Sequence, residues 1–279
     1  ISNSDGAGVS SNTSLAVYAN SHGFVGRERS SSHSLSCALI AGSGDGMQRD
    51  GWYSAALAFA DLWQPEAVGQ KAAQRTLERL APRSLPTAQM PVLFAPEVSR
   101  SLIAHLVAAI SGGALYRRAS FLLDSVGQAL LPPWFAIEER PLLARGWRST
   151  AFDAEGVATR DSMLVDGGVL QRYVLGSYSA RMLGLQTTGN AGGVHNLQVR
   201  ANAPGLPQMA AQMGRGFLVT ELMGQGVNGV TGDYSRGAAG FWVENGEICY
   251  PVDGVTIAGN LRQMFQRIVA VGEDVDPRS

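Results

Sequence analysis

Two hydrophobic periodicities run along the chain, one near two residues and one near 3.6. Residues 14–41 show the first, because serine, arginine and glutamate interrupt apolar positions, and they predict two strands that turn around Asn20 to Gly23. Residues 65–80 show the second and predict a helix with Pro65 in its first turn. Its predicted apolar face consists of Val68, Ala72, Thr76, Leu77 and Leu80.

The middle of the chain continues the alternation of strand and helix. The glycine-rich stretch GSGDGMQRDG, residues 42–51, predicts a polar loop. Residues 90–97, MPVLFAPE, predict a buried strand that leads into a helix. That helix includes LIAHLVAAISG, residues 102–112, whose apolar density is typical of a buried helix although it contains His105.

The second half predicts hairpins. Their turns are placed at Asp166-Gly167 and at Asn245-Gly246, since these residues tolerate the positive φ of tight hairpins. Asn260 predicts the N-cap of a last helix, with Gln263 at the reciprocal capping position. Strands and helices alternate without a regular βαβ rhythm, so the expected class is α+β, with mixed, mostly antiparallel sheets and interspersed helices.

Composition narrows the functional classes. The 279 residues carry a net charge of −1, with 45% hydrophobic and 16% charged residues, which indicates a globular protein without the basic footprint of a nucleic-acid binder. Cys37 and Cys249 form no C-x-x-C pair, so we expect neither a thiolate zinc site nor a disulfide framework, and a reducing cytoplasm is the expected location. No apolar run reaches the roughly 18 residues of a membrane span, and no membrane association is expected.

Common catalytic motifs give weak signals. GQGVNG, residues 224–229, matches G-x-G-x-x-G, but strand and turn sequence follows it where a dinucleotide site needs a helix. We interpret it as a loop in which the backbone turns tightly or approaches another segment. RSSSHSLS contains His33, and we interpret this run as an exposed strand face rather than part of a hydrolase triad.

His195 and several clustered carboxylates are the remaining candidate functional residues. His195 follows flexible glycines at a loop-to-strand junction, which suits a functional loop and equally a structural histidine. Solvated charge is the expected role of the acidic groups Glu138 and Glu139, Asp153 and Glu155, and Glu273, Asp274 and Asp276.

Long sequence blocks carry a far more specific signal. Residues 92–113, VLFAPEVSRSLIAHLVAAISGG, and residues 219–261, VTELMGQGVNGVTGDYSRGAAGFWVENGEICYPVDGVTIAGNL, resemble the TldD/PmbA family, also described as modulators of DNA gyrase. The resemblance is closest to its PmbA, or TldE, type of subunit. Shorter stretches support it in the same order, namely NSHG, SHSLS, YRRASFLLDSVG, SYSARMLGL and GNAGGVHN.

The resemblance implies a domain arrangement and a partner. Residues 1–279 would be essentially one unit, the C-terminal domain of a longer protein whose N-terminal domain is absent, with residues 1–40 as the junction. The chain would pair with a TldD-like subunit, the catalytic half of a cytoplasmic zinc metallopeptidase. That subunit carries H-E-x-x-x-H on a helix and a further cysteine ligand, which together hold Zn²⁺ and an activated water.

Alignment of that helix with this chain shows what is missing here. Ala104 stands at the first histidine position, His105 at the glutamate position and Ala109 at the second histidine position. A methyl group cannot ligate a metal, so the resemblance implies no zinc site and no cofactor in this chain, with zinc expected in the TldD partner. Cys249 lies before the region of the family's cysteine ligand.

The resulting hypothesis is a non-catalytic subunit that helps to enclose a peptide-processing chamber. A peptide could add as a strand to an exposed sheet edge, and residues 229–243 are the predicted edge or subunit contact. The polar contact residues proposed there are Asp233, Tyr234 and Arg236, with His195 as a further one. The resemblance also implies work on small peptides, such as maturation of a microcin precursor and removal of an antitoxin-like protein.

Two alternatives stay open from the sequence. One is an autonomous metallopeptidase that uses His105, His195 and a carboxylate as a different ligand set. The other is a homodimeric peptide-binding or scaffold protein, and a homodimer could also form when the partner is absent.

Overall fold

Strands and helices alternate along the whole chain in the computed structural model, which describes residues 1–276. Three sheets and six α-helices lie within these residues, and most strand pairs are antiparallel, which confirms the predicted α+β class. The strands are β1 Asn3–Ala19, β2 Val25–Ala41, β3 Gln48–Ala56, β4 Val92–Phe94, β5 Ile137–Glu139, β6 Ser162–Asp166, β7 Val169–Leu170, β8 Leu197–Val199, β9 Gly216–Met223, β10 Asp233–Glu244 and β11 Glu247–Asn260. The helices are α1 Pro65–Glu78, α2 Pro96–Ala109, α3 Gly112–Tyr116, α4 Ser177–Met182, α5 Leu206–Met213 and α6 Leu261–Gln266.

The first sheet has the order β1-β2-β3, and α1 packs on β2 and β3. Its long hairpin confirms the two predicted strands and the turn that begins at Asn20. The polar loop prediction is wrong for its last residues, since β3 already begins at Gln48, which pairs with Ala41. Pairing with β2 decides the structure there, whatever the polarity of the segment.

Helix α1 confirms the predicted helix and most of its face. Val68, Ala72 and Thr76 are buried, whereas Leu77 is exposed. No helix of the described residues is both long and apolar enough to cross a bilayer.

The second sheet has the order β11-β10-β9-β4, with only β4 and β9 parallel. Its hairpin turns at Asn245 and Gly246, with φ of 53° and 79°, as predicted. The third sheet has the order β7-β6-β5-β8, and its hairpin turns at Gly167-Gly168, one residue later than predicted, because Asp166 still pairs with Val169. Both glycines have positive φ, which glycine adopts without steric cost.

Helix α2 places the central sequence motif against the main core. Its buried residue Leu106 packs with Ile110, just beyond the helix, and with residues of the third sheet and of α6. Helix α6 starts as predicted, since the Asn260 side chain accepts a hydrogen bond from the Arg262 amide at 3.1 Å. This core fixes the position of α2 relative to β10.

Candidate functional site

The three motif positions of helix α2 lie in three different environments. Ala104 is exposed, His105 is half-buried, and Ala109 is buried in the main core. Methyl groups at the first and third positions present no atom that can donate an electron pair to a metal ion. The helix therefore offers no metal ligand at the first and third of these positions.

His105 packs against Tyr234, a residue of β10. The two ring centroids lie 6.0 Å apart and the ring planes meet at 78°, an edge-to-face arrangement. The His105 Nε2 and the Tyr234 hydroxyl are both buried, and neither forms a hydrogen bond with any described residue. The structure thus brings together two residues that the sequence analysis singled out separately.

Both members of this pair are held in their neutral forms. Burial lowers the pKa of His105, and the positive charge of Arg236 lowers it further. Burial raises the pKa of Tyr234 and outweighs the opposite effect of Arg236. A neutral imidazole that meets the edge or face of an aromatic ring suits a packing role.

The other two predicted contact residues of β10 lie closer to the surface. Asp233 accepts hydrogen bonds from the Thr231 hydroxyl at 2.6 Å and from the Asn260 amide at 3.3 Å, and these two bonds lower its pKa. The Arg236 guanidinium donates to the backbone carbonyls of Leu222 and Met223. Asp233 therefore fastens the loop before β10 to the end of β11.

Strand β10 is an interior strand, so the prediction of a sheet edge at residues 229–243 is wrong. It pairs with β11 on one side and with β9 on the other. Beyond the end of β9, the Ser235 amide donates to the Gly226 carbonyl at 2.7 Å, so the loop GQGVNG covers the remaining side. A Cβ on Gly226 would lie 1.9 Å from the Ser235 carbonyl oxygen, which confirms close backbone approach as the role of that glycine.

His195 belongs to a different, buried polar cluster around Glu139. Its backbone N–H donates to Glu139 Oε1 at 2.6 Å, and its ring Nδ1 lies 3.1 Å from the same oxygen. Asn190 Nδ2 donates to this oxygen at 2.8 Å, and the Arg172 guanidinium pairs with the other carboxylate oxygen. His195 is buried, which leaves little of it for contact with a peptide.

The expectation that the acidic groups are solvated is wrong for three of them. Glu139, Asp153 and Asp276 are 2%, 3% and 4% exposed. Asp153 Oδ1 accepts the backbone N–H groups of Glu155 and Val157, both at 2.9 Å, and Asp276 accepts the Tyr53 hydroxyl at 2.8 Å. Buried carboxylates need such partners. Those of Glu139 and Asp276 lie too far along the sequence for spacing to reveal them, whereas Asp153 accepts from residues of its own turn.

The cluster also sets the protonation state of Glu139. Burial alone would raise the pKa of Glu139, but the hydrogen bonds from His195 and the Arg172 guanidinium outweigh it and hold the pKa below its ordinary value. The carboxylate therefore stays ionised and ties Asn190 and His195 of the GNAGGVHN loop to β5.

The side chains within residues 1–276 that could ligate zinc are dispersed over the fold. Nowhere in residues 1–276 do three His, Cys, Asp or Glu side chains form a group that could hold a metal. The alternative set of His105, His195 and a carboxylate is therefore not assembled. Cys249 is exposed on β11, where its nearest hydrogen-bond partners are backbone carbonyls.

A large cleft opens beside α2. Its volume is about 2620 Å³, and Ala104, Val107 and Ala108 of the helix line it. Strand β4, strand β8 and residues 254–258 of β11 line it as well, and each of these strands is the last strand of its sheet. Arg236 reaches the same cleft, so one predicted contact residue lies where a ligand has room.

The three sheets and helix α2 together define an α+β protein with a large cleft beside that helix. Residues 1–80 match the model of the PmbA/TldA metallopeptidase central domain, and residues 87–279 match that of the C-terminal domain. The chain belongs to the PmbA/TldD family. Because the models divide the chain near residue 80, its action as one unit stays a prediction.

Curated relatives carry the same family names. The chain is 51% identical, over its full length, to the metalloprotease PmbA of Escherichia coli O157:H7 and spans 62% of that protein. It is 50% identical to the metalloprotease PmbA homolog of Haemophilus influenzae, again across 62% of the relative. A metalloprotease TldD homolog of H. influenzae is 24% identical over 77% of this chain and 46% of its own length.

Solved structures show the same fold. A candidate modulator of DNA gyrase from Bacteroides thetaiotaomicron superposes with a TM-score of 0.92 at 30% identity, over 96% of this chain and 61% of that one. TldE from Thermococcus kodakarensis superposes with a TM-score of 0.83 at 23% identity, over 96% of this chain and 63% of that one. At that lower identity the likeness concerns the fold alone.

Proposed function

We propose that this chain is part of a non-catalytic subunit in a zinc metallopeptidase complex of the TldD/PmbA type. The observation that carries the proposal is the environment of helix α2, where Ala104 and Ala109 replace the histidine ligands and His105 packs on Tyr234. Without ligands there is no metal-bound water and no substrate for a general base. A TldD-like partner with its own zinc would supply both.

The role of this subunit would be to hold peptides near the partner's metal. Strands β4, β8 and β11 each end a sheet at the cleft, so an extended peptide can pair with their free backbone groups. Main-chain pairing is largely indifferent to sequence, which suits small or unfolded peptides such as a microcin precursor or an antitoxin, in the cytoplasm. Cleavage would follow in the partner.

A homodimeric scaffold is the second candidate, and strand β1 favours it. This strand is almost wholly exposed and pairs only with β2 among the described residues. Its apolar residues Val9, Leu15 and Val17 are at least 60% exposed. A long edge with Asp5 as its one charged residue readily pairs with another chain.

Zinc content and peptide cleavage distinguish these roles. Both quantities are measured for three samples: the protein at its natural length alone, a TldD-like protein alone, and the mixture of the two. The proposed role predicts cleavage that depends on the partner and rises in the mixture. A scaffold predicts a homodimer that does not change the activity of the TldD-like protein.

A further inference from the structure

The cleft beside α2 offers more positive than negative charge. Four arginines that line it are exposed and form no salt bridge with another described residue, namely Arg100, Arg148, Arg200 and Arg267. Arg236 and Arg145 also line the wall, and Arg145 is paired with Asp61. Such groups bind carboxylates well because their planar forks can donate two hydrogen bonds at once.

Most acidic residues of the cleft already have partners. Glu97 pairs with Arg75 at 2.8 Å, Asp274 accepts the Leu206 amide, and Asp276 accepts the Tyr53 hydroxyl. The carboxylate of Glu138 also lines the cleft and forms no hydrogen bond or ion pair with other residues in the 1–276 range. Six arginines and four carboxylates line the cleft, so its lining carries a net positive charge.

The apolar part of the cleft is rich in methionine. Five of the eight methionines in the chain line it, namely Met90, Met163, Met209, Met213 and Met264. Methionine side chains are flexible and polarisable, so they adapt to apolar groups of different shapes. This lining suits a ligand whose apolar side chains vary.

We propose that the cleft binds extended peptides in which acidic residues alternate with apolar ones. In a strand, successive side chains point to opposite faces, so carboxylates can meet the arginines while apolar side chains meet the methionines. The outer edges of β4, of β8 and of residues 254–258 of β11 supply backbone partners. This inference rests on the proposed peptide-handling role and adds the chemical class of the peptide.

The test compares two labelled peptides that differ only in whether their alternating polar positions are glutamate or lysine. Fluorescence anisotropy measures their binding to the protein at its natural length, at low and high salt. The acidic peptide should bind more tightly, and salt should reduce the difference. Arg200→Glu and Arg267→Glu should each weaken its binding about fivefold, because each reverses one partly screened contact.

Arg181→Glu is the matched control, since Arg181 is exposed on α4, lies outside the cleft and changes the net charge equally. It should leave binding unchanged. Equal binding of both peptides, or equal effects of all three substitutions, would overturn the inference. Two other results would also overturn the inference, because each would make the cleft a subunit interface. In the first, the wild type forms a homodimer that binds no peptide, and the two cleft variants lose that homodimer. In the second, the TldD-like protein displaces the acidic peptide.

Failure of this inference is separable from failure of the proposed function. If the peptides bind equally but the mixture with the TldD-like protein cleaves them, the acidic preference is wrong and the subunit role stands. If the acidic peptide binds selectively but the mixture is no more active than the TldD-like protein alone, the cleft assignment stands and the subunit role is wrong.

Discussion

The imidazole of His105 lies edge-on against the ring of Tyr234, with the centroids 6.0 Å apart. His105 stands where the family motif has its glutamate, and Tyr234 belongs to an interior strand of the second sheet. The contact joins helix α2 to β10 within the main core. It gives His105 a packing role.

His105→Phe should make the protein less sensitive to mild acid. The pKa of His105 is lowered by burial and by Arg236, so below the ordinary histidine pKa, about 6.5, the unfolded chain takes up a proton that the folded chain does not. The wild type should therefore lose stability relative to His105→Phe as pH falls from that value to the folded pKa. Urea unfolding at several pH values measures this difference.

Tyr234→Phe serves as the control for that series. It alters the same contact but removes no group that titrates in this range, since the pKa of Tyr234 is raised above its ordinary value. Its stability relative to the wild type should not change between mildly alkaline and mildly acidic solution. A His105→Phe difference that is equally constant with pH would contradict the lowered pKa.

Glu139→Gln should destabilise the fold strongly. The substitution leaves the mostly buried Arg172 without its charge partner, which typically costs about 3 to 5 kcal/mol. Glu138→Gln is the matched control, because the Glu138 carboxylate forms no hydrogen bond or ion pair with another described residue, and its effect should stay within about 0.5 kcal/mol. Similar losses in both variants, measured by denaturant unfolding, would show that the buried cluster does not stabilise the protein.

The contribution of Glu139 should also depend on pH. Its folded pKa is lowered, so its stabilising effect is fully present above the ordinary glutamate pKa, about 4.3, and is lost as pH falls through the lower folded value. The stability difference between wild type and Glu139→Gln should therefore shrink below that ordinary value. A difference that grows in acid would contradict the sign of the shift.

Gly226→Ala should disrupt the loop that covers β10. The new Cβ would lie 1.9 Å from the Ser235 carbonyl oxygen, so the backbone must move, at a cost of about 1 to 3 kcal/mol. Gly229→Ala is the control in the same loop, since a Cβ there has no atom of the described residues within 4 Å. Equal thermal stability of the two variants would contradict the close approach.

Local features of this fold were predictable from the sequence, and long-range ones were not. The Asn245-Gly246 turn and the Asn260 cap depend on neighbouring residues, and both were predicted correctly. The interior position of β10 depends on β9 and on a glycine loop, which no pattern within residues 229–243 reveals. Hydrophobic alternation cannot distinguish an edge strand from an interior strand that is polar at one end.

The candidate site also combines features that the sequence reveals with features that depend on distant residues. The absence of histidine ligands at Ala104 and Ala109 is visible in the sequence, because it needs only the alignment of one helix. The burial of Glu139 is not, since Arg172 lies 33 and His195 lies 56 residues away along the chain. A buried polar network could have been inferred from Arg172 and Asn190, which are polar residues beside apolar segments.

Zinc content and peptide cleavage of the purified protein at its natural length, alone and mixed with a TldD-like protein, test the central claim most directly. The proposal predicts no stoichiometric zinc and no cleavage by this protein alone, partner-dependent cleavage in the mixture, and full activity of the mixture when His105→Ala replaces the wild type. Stoichiometric zinc and cleavage by this protein alone, abolished by His105→Ala, would contradict the proposal and establish an autonomous peptidase.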